Sequence, residues 1–314
     1  MSATASQTAR SVPVARRYPS LSASLELLKP ITWFPPMWAF MCGTVSSGLS
    51  LLDNWHLVLG GIILSGPLVC AMSQAINDWH DRHVDAINEP NRPIPSGRVP
   101  GRWGLYIAII WSCLSLGWAA LFGVWVVAAT ALGIFMAWAY SAPPFRLKLN
   151  GWFGNTAVAF SYEGLAWFTG AAVLLQALPD ARIVLLAFLY SVGAHGIMTL
   201  NDFKSVAGDR EMNVRTLPVQ LGEHRAAIVA SIVMTCPQVA VIALLLSWGL
   251  PVHGSVVGVL LLLQIGLMFK YLGNRKVLMA EPKLNAAKYN ATGTTLYVLG
   301  MLASAVGLGN LAGV

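Results

Sequence analysis

Charge is scarce in this chain. Asp, Glu, Lys and Arg make up 11% of its 314 residues, against about 25% in an ordinary soluble domain. Hydrophobic residues reach 56%, so a water-soluble globular fold is excluded on composition. The net charge of +7 does not indicate a nucleic-acid binder, because Lys and Arg lie in the gaps between apolar runs and form no patch. Cysteine is equally sparse. Cys42, Cys70, Cys113 and Cys236 stand in or beside apolar segments without CxxC spacing, which excludes a disulfide framework and a thiolate zinc site and leaves small packing residues. An apolar core is missing before Leu21, so the first 28 residues, with Arg10, Arg16 and Arg17 among Ser, Thr and Ala, do not read as a secretory signal. They read as a flexible cytoplasmic tail, leaving 29–314 as a single transmembrane domain.

Long apolar runs are what the chain has in plenty. Windows of about 20 residues, the length of a membrane-crossing helix, fall near 31–50, 57–77, 103–121, 122–140, 155–175, 182–200, 225–247, 252–271 and 290–311. The expected fold is therefore an all-α membrane protein of about nine transmembrane helices. Gly123 and Trp125 mark the faint boundary between the third and fourth runs, and Pro35, Pro36, Pro67 and Pro237 should start or kink their spans. With a cytoplasmic N-terminus, every Lys and Arg except Arg182 falls on the cytoplasmic side, the bias that orients membrane proteins.

Against this background one stretch stands out. Asn77 to Gly97 reads NDWHDRHVDAINEPNRPIPSG, directly after an apolar run. If the helix continues through it, Asp78, Asp81 and Asp85 share one stripe at i, i+3 and i+7, with Asn77 beside Asp81. Carboxylates that close repel one another unless a cation sits among them, and hard oxygen donors suit Mg²⁺ better than a soft metal. A lone acidic face neutralised by Arg82, Arg92 and Arg98 would be the simpler reading. The pattern recurs, however. Asn201 opens NDFKSVAGDREMNVRTLPV: Asp202 matches Asp78, Asp209 matches Asp85, and Arg215 with Pro218 matches Arg92 with Pro95. Two helices delivering Asn-Asp-led faces to one membrane side are what two ions clamping a diphosphate need, and they imply a parallel repeat of about four helices.

Other residues hold two readings each. Tyr140, before Arg146 and Lys148, either faces an allylic cation or is an interfacial aromatic. Glu163 is a deep ionisable group, either a site residue or part of a local network with Ser161 and Tyr162. His195 is a ligand for the magnesium of a chlorin or a packed core histidine. His80 and His83, at i and i+3, lack further zinc ligands and read as rim residues.

The paired motifs, with LLKPITWFPPMWAF from Leu27, resemble the aspartate-rich signatures of the UbiA superfamily of intramembrane prenyltransferases over nearly the whole chain. INEPNRPIPSG, NDFKSVAGDR and Lys29-Pro30-Ile31-Thr32-Trp33 are most similar to its chlorophyll and bacteriochlorophyll synthase branch. The resemblance implies esterification of the propionate of bacteriochlorophyllide a by geranylgeranyl or phytyl diphosphate in a bacterial inner membrane, with Mg²⁺ or Mn²⁺ as cofactor. It implies Asn77, Asp78, Asp81 and Asp85 as the first metal set and Asp202 with Asp209 as the second. Lys204, Arg146 and Lys148 are implied to contact the leaving diphosphate, with Lys29, Arg82, Arg92, Asn201, Arg210 and His195 completing the substrate-binding residues. Ser205 replaces an acid at the position matching Asp81, so the second ion has fewer protein ligands. A prenyl-chain reductase and pigment-binding proteins are the implied partners. A quinone-, haem- or lipid-directed prenyltransferase is the alternative within the class, and a cation-binding transporter the alternative outside it. A transporter would carry paired charges near the midplane, where only Glu163 lies.

Overall fold

The computed structural model describes residues 17–312. A short helix, α1 (Leu21–Leu28), precedes α2 (Phe34–Ser46). The long spans follow: α3 (Trp55–Asn88), α4 (Trp103–Phe122), α5 (Val124–Ser141), α6 (Gly151–Leu175) and α7 (Ala181–Lys204). After two short helices, α8 (Val206–Glu211) and α9 (Leu217–Leu221), come α10 (Glu223–Ser247) and α11 (Pro251–Gly273). The short α12 (Arg275–Ala280) leads to α13 (Pro282–Ala312).

Eight helices among the described residues are long and apolar enough to cross a membrane. The chain is a multi-pass membrane protein. The expected span at 31–50 is shorter: α2 has 13 residues, about 20 Å at 1.5 Å per residue, against a hydrocarbon core of about 30 Å. Pro35 and Pro36 sit in its first turn, where an amide proton has no helical acceptor anyway, and Gly48 in left-handed backbone follows its end. The expected flexible tail also needs correction. Leu21–Leu28 is helical, capped by the Ser20 hydroxyl, and it buries Ala23, Leu27 and Leu28 against α3 and α4. Residues 1–16, the rest of that tail, lie outside the described residues.

Local chemistry sets the other boundaries. Gly123, at φ 99°, separates α4 from α5, where the sequence placed the break. Asn150 caps α6 through the Trp152 amide, and Asp180 caps α7 through that of Arg182. α2 and α6 cross closely because both are glycine at the contact: a Cβ on Gly170 would lie 2.0 Å from the Phe40 carbonyl oxygen, and one on Gly43 equally near that of Trp167. Behind this crossing Trp167 stacks on Tyr190 at 5.6 Å, and Tyr297 meets Tyr190 edge-on at 5.3 Å. Their polar tips are satisfied, Trp167 Nε1 by Ser46 and the Tyr190 hydroxyl by Ser304. Truncating such a ring costs about 3–5 kcal/mol. Large apolar side chains point outward elsewhere, among them Val252, Leu262 and Phe269, as lipid contact permits.

Three of the described spans carry wide π turns, at Leu64–Cys70 around Pro67, at Phe160–Leu165 and at Phe269–Gly273. Proline cannot donate to the helical ladder, and the extra residue accommodates the lost bond. The first two of these wide turns face one internal chamber.

Candidate active site

The chamber has a volume of about 410 Å³ and lies among α2, α3, α5, α6 and α7. Asn77, Tyr140, Asn155, Asn201, Asp202 and Lys204 line one end. Pro36, Leu64, Val69, Ala129, Met136 and Leu165 line much of the rest, with Cys70, Ser73, Gln74, Ser161 and Tyr162 among them. Asn77 of the first motif and Asn201 with Asp202 of the second thus meet at one cavity, while Asp78, Asp81, Asp85 and Asp209, with Arg146 and Lys148, lie outside its lining.

The first motif is continuous helix to Asn88, so the stripe forms as its spacing requires. Its acids are held by bases. Lys29 Nζ donates to Asp78 Oδ1 at 2.6 Å, and Arg92 Nη1 reaches Asp78 Oδ1 at 3.5 Å and Asp85 Oδ2 at 3.0 Å. Arg92 is aimed by its own loop, where Nε and Nη2 grip Glu89. Lys148 Nζ donates to Asp81 Oδ1. Burial holds the Lys148 amine below the ordinary lysine range, although Asp81 beside it favours the charged form. Lys29 and Arg146 both have left-handed backbone.

The second motif is built differently. After Asn201 the helix tightens into a 3₁₀ turn over Asp202–Lys204, and α8 starts anew at Val206. Asp202 Oδ2 accepts from Asn155 Nδ2 at 3.0 Å, and Asn201 Oδ1 from Asn290 Nδ2 at 3.2 Å. Asp209 is buried and accepts from Ser205 at 2.8 Å and Thr216 at 3.2 Å. Burial raises its carboxyl above the ordinary range, and those two hydroxyls with Lys204 only partly offset this. Ser205, where the first motif has an acid, is therefore a donor to Asp209. The loop carrying Lys148 is fastened to this motif: Arg215 N donates to Leu149 O, and Gly151 N to Arg215 O. A Cβ on Gly151 would stand 2.5 Å from the Leu217 nitrogen.

Several expected site residues lie elsewhere. Arg82 turns back onto its own helix, donating to Trp79 O at 2.7 Å with its guanidinium 4.2 Å over the Trp79 ring. Arg210 is exposed and does not line the chamber. His195 is buried outside the chamber lining and stacks on Trp152 at 5.8 Å, with Nδ1 lacking a partner among the described residues. The Glu163 network is not formed. Its Oε2 is unpartnered among the described residues, Ser161 turns to Met136 and Tyr162 to Gln74. Asn155 escaped the sequence reading, since a single amide at the start of an apolar run carries no spacing signal.

The donor set around the chamber mouth suits a hard divalent cation. It consists of carboxylate and amide oxygens, and the buried Asp78 Oδ2 has no partner among the described residues. Among the described residues no three His, Cys, Asp or Glu side chains converge closely enough to hold an ion by themselves. Ions at this site would take further oxygens from a diphosphate and water.

Comparison with known proteins places these features. The model of the UbiA prenyltransferase family matches residues 32–292. The chain is 53% identical to the bacteriochlorophyll synthase 33 kDa chain of Cereibacter sphaeroides, over 99% of both sequences. It is 38% identical to the chloroplastic chlorophyll synthase of Oryza sativa subsp. japonica, over 90% of this chain and 75% of the relative. In fold it is similar to a UbiA homolog from Archaeoglobus fulgidus solved bound to GPP and Mg²⁺, with a TM-score of 0.65 and 22% identity over 88% of this chain and 99% of that one.

Proposed function

The chain belongs to the UbiA prenyltransferase family, and from that premise we propose that it esterifies the propionate of bacteriochlorophyllide a with geranylgeranyl or phytyl diphosphate, releasing diphosphate. The observation that carries this reading is the 53% identity to a bacteriochlorophyll synthase chain over 99% of both sequences. The chamber supports it, with amide, carboxylate and ammonium groups at one end and an apolar interior suited to an isoprenoid.

We assign Mg²⁺, with Mn²⁺ as substitute, to Asn77, Asp78, Asp81 and Asp85 and to Asp202 with Asp209. Bound there, divalent cations neutralise the charge that builds on a leaving diphosphate. The chain's own residues do the rest. Lys204 at the chamber mouth, with Lys148 and Arg146 from the loop fastened to the second motif, binds the diphosphate oxygens. Lys29 and Arg92, which neutralise the first acidic stripe, orient its carboxylates. Asn155 fixes Asp202 through the bond at 3.0 Å. The apolar walls exclude water that would capture an allylic cation, and Tyr140, which lines the chamber, would turn its ring to that cation. The acceptor is already an anion, so no general base is required. The distribution of Lys and Arg supports an active site on the cytoplasmic side. The product would pass to proteins that bind the esterified pigment or reduce its prenyl chain.

Membranes containing the protein, Mg²⁺ and geranylgeranyl diphosphate test the reading when given bacteriochlorophyllide a, chlorophyllide a or 4-hydroxybenzoate separately. Ester from bacteriochlorophyllide a is the expected product. Prenylated benzoate alone would move the function to quinone synthesis.

A further inference from the structure

One turn inside the chamber mouth the wall is polar. Cys70 and Gln74 on α3 face Tyr162 on the wide turn of α6, and all three line the chamber. Gln74 Nε2 donates to the Tyr162 hydroxyl at 3.0 Å, and Cys70 Sγ lies 3.4 Å from that hydroxyl and 3.4 Å from the Thr32 carbonyl oxygen. Thr32 O can only accept, so it takes the thiol's one proton and the phenol's proton rests on the weakly accepting sulfur, from which a carboxylate in the chamber can draw the hydrogen bond. A second Gln74 amide proton remains as well. Neither group is explained by prenyl binding, for which hydrocarbon walls suffice.

Their depth suggests what they hold. Gln74 precedes Asn77 by three residues, about 4.5 Å along the helix axis toward the interior. Displacement at a prenyl C1 forms the new bond on the face opposite the one that breaks. With the diphosphate at Asn77, Asp202 and Lys204, that face looks inward, onto the Gln74–Tyr162 pair. A carboxylate brought there loses its water and needs donors in exchange.

We propose that Tyr162 and Gln74 form the cradle for the acceptor's carboxylate, holding one oxygen against C1 of the prenyl diphosphate; the proposal rests on the esterification reading above. In the step, a carboxylate oxygen forms the bond to C1 while the bond from C1 to the diphosphate oxygen breaks. The diphosphate leaves with the electron pair, and no proton is transferred. The Cys70 thiol orients the phenol and takes no part in the chemistry.

The test uses the full-length protein in nanodiscs and two probes, bacteriochlorophyllide a and its propionate methyl ester, which keeps the ring but lacks the anion. Wild type should bind the free acid at least tenfold more tightly than the ester. Tyr162→Phe and Gln74→Leu should each weaken the free acid roughly tenfold, as loss of a hydrogen bond to a charged group does, leaving the ester and geranylgeranyl diphosphate unaffected. Gln74→Glu, of the same shape but negative, should weaken the acid further. Retained geranylgeranyl diphosphate binding reports that each variant is folded. An unchanged ratio of acid to ester affinity, or equal losses for both probes, would overturn the cradle. Absence of ester product in wild type, with benzoate prenylated instead, would overturn the esterification reading itself.

Discussion

At the residue scale, Asp78 and Asp202, to which the proposed mechanism gives the same work, stand in different surroundings. Asp78 has Lys29 and Arg92 on one oxygen and no partner among the described residues on the other, whereas Asp202 has the neutral donor Asn155. Replacing either by Asn keeps volume and removes charge, so turnover should fall by at least about 10²-fold with membrane insertion intact. Normal product formation by Asp78→Asn membranes would contradict that role. Lys204→Met should raise the KM for prenyl diphosphate about tenfold and leave that for pigment nearly unchanged, and initial rates over both substrates separate the two. The pH profile follows from Lys148. Its amine lies below the ordinary lysine range because it is buried, so rising pH discharges it sooner than it would an exposed lysine, and the alkaline limb of kcat/KM should fall early. Lys148→Arg stays charged and should move that limb to higher pH; an unmoved limb would remove Lys148 from diphosphate binding. The residues legible in the sequence are those with a partner at a fixed offset, such as Asp78 with Asp85. Asn155 and Gln74 were not legible, because their partners Asp202 and Tyr162 are distant in the chain and only folding supplies the pairing.

At the element scale, the long spans were readable because lipid demands continuous apolar helices and Gly123 must break one. Hydropathy could not show that α2 is short or that Leu21–Leu28 folds onto α3 and α4, since both depend on packing. The wide turns at Leu64–Cys70 and Phe160–Leu165 were equally hidden. They change hydrogen-bond register without changing apolar content, and only Pro67 hinted at one of them. The crossing of α2 and α6 yields an element-scale prediction. Gly170→Ala puts a methyl 2.0 Å from the Phe40 carbonyl, where backbone must move, and should cost about 1–3 kcal/mol. Gly117→Ala, on α4 with nothing within 4 Å, is the control. Thermal unfolding in detergent should show a clear loss of Tm for the first and none for the second; equal melting would mean that the crossing is loose.

At the scale of the whole molecule, Asn77 and Asn201 with Asp202, from two motifs 124 positions apart, line one chamber between α3 and α7. The repeat made that convergence legible, but not its asymmetry. The first motif is an unbroken helix neutralised by Lys and Arg, while the second leaves the α-helix after Asn201 and is fixed by Asn155, Ser205 and Thr216. Both carboxylate sets are useful together only if they hold one ligand. The direct measurement is titration of geranylgeranyl diphosphate into the purified protein with and without Mg²⁺, for wild type, Asp78→Asn, Asp202→Asn and the double variant. One shared site predicts Mg²⁺-dependent binding in wild type, a loss of about tenfold or more in each single variant, and a double variant that is not the sum of the two. Tight, Mg²⁺-dependent binding retained by either single variant would contradict it.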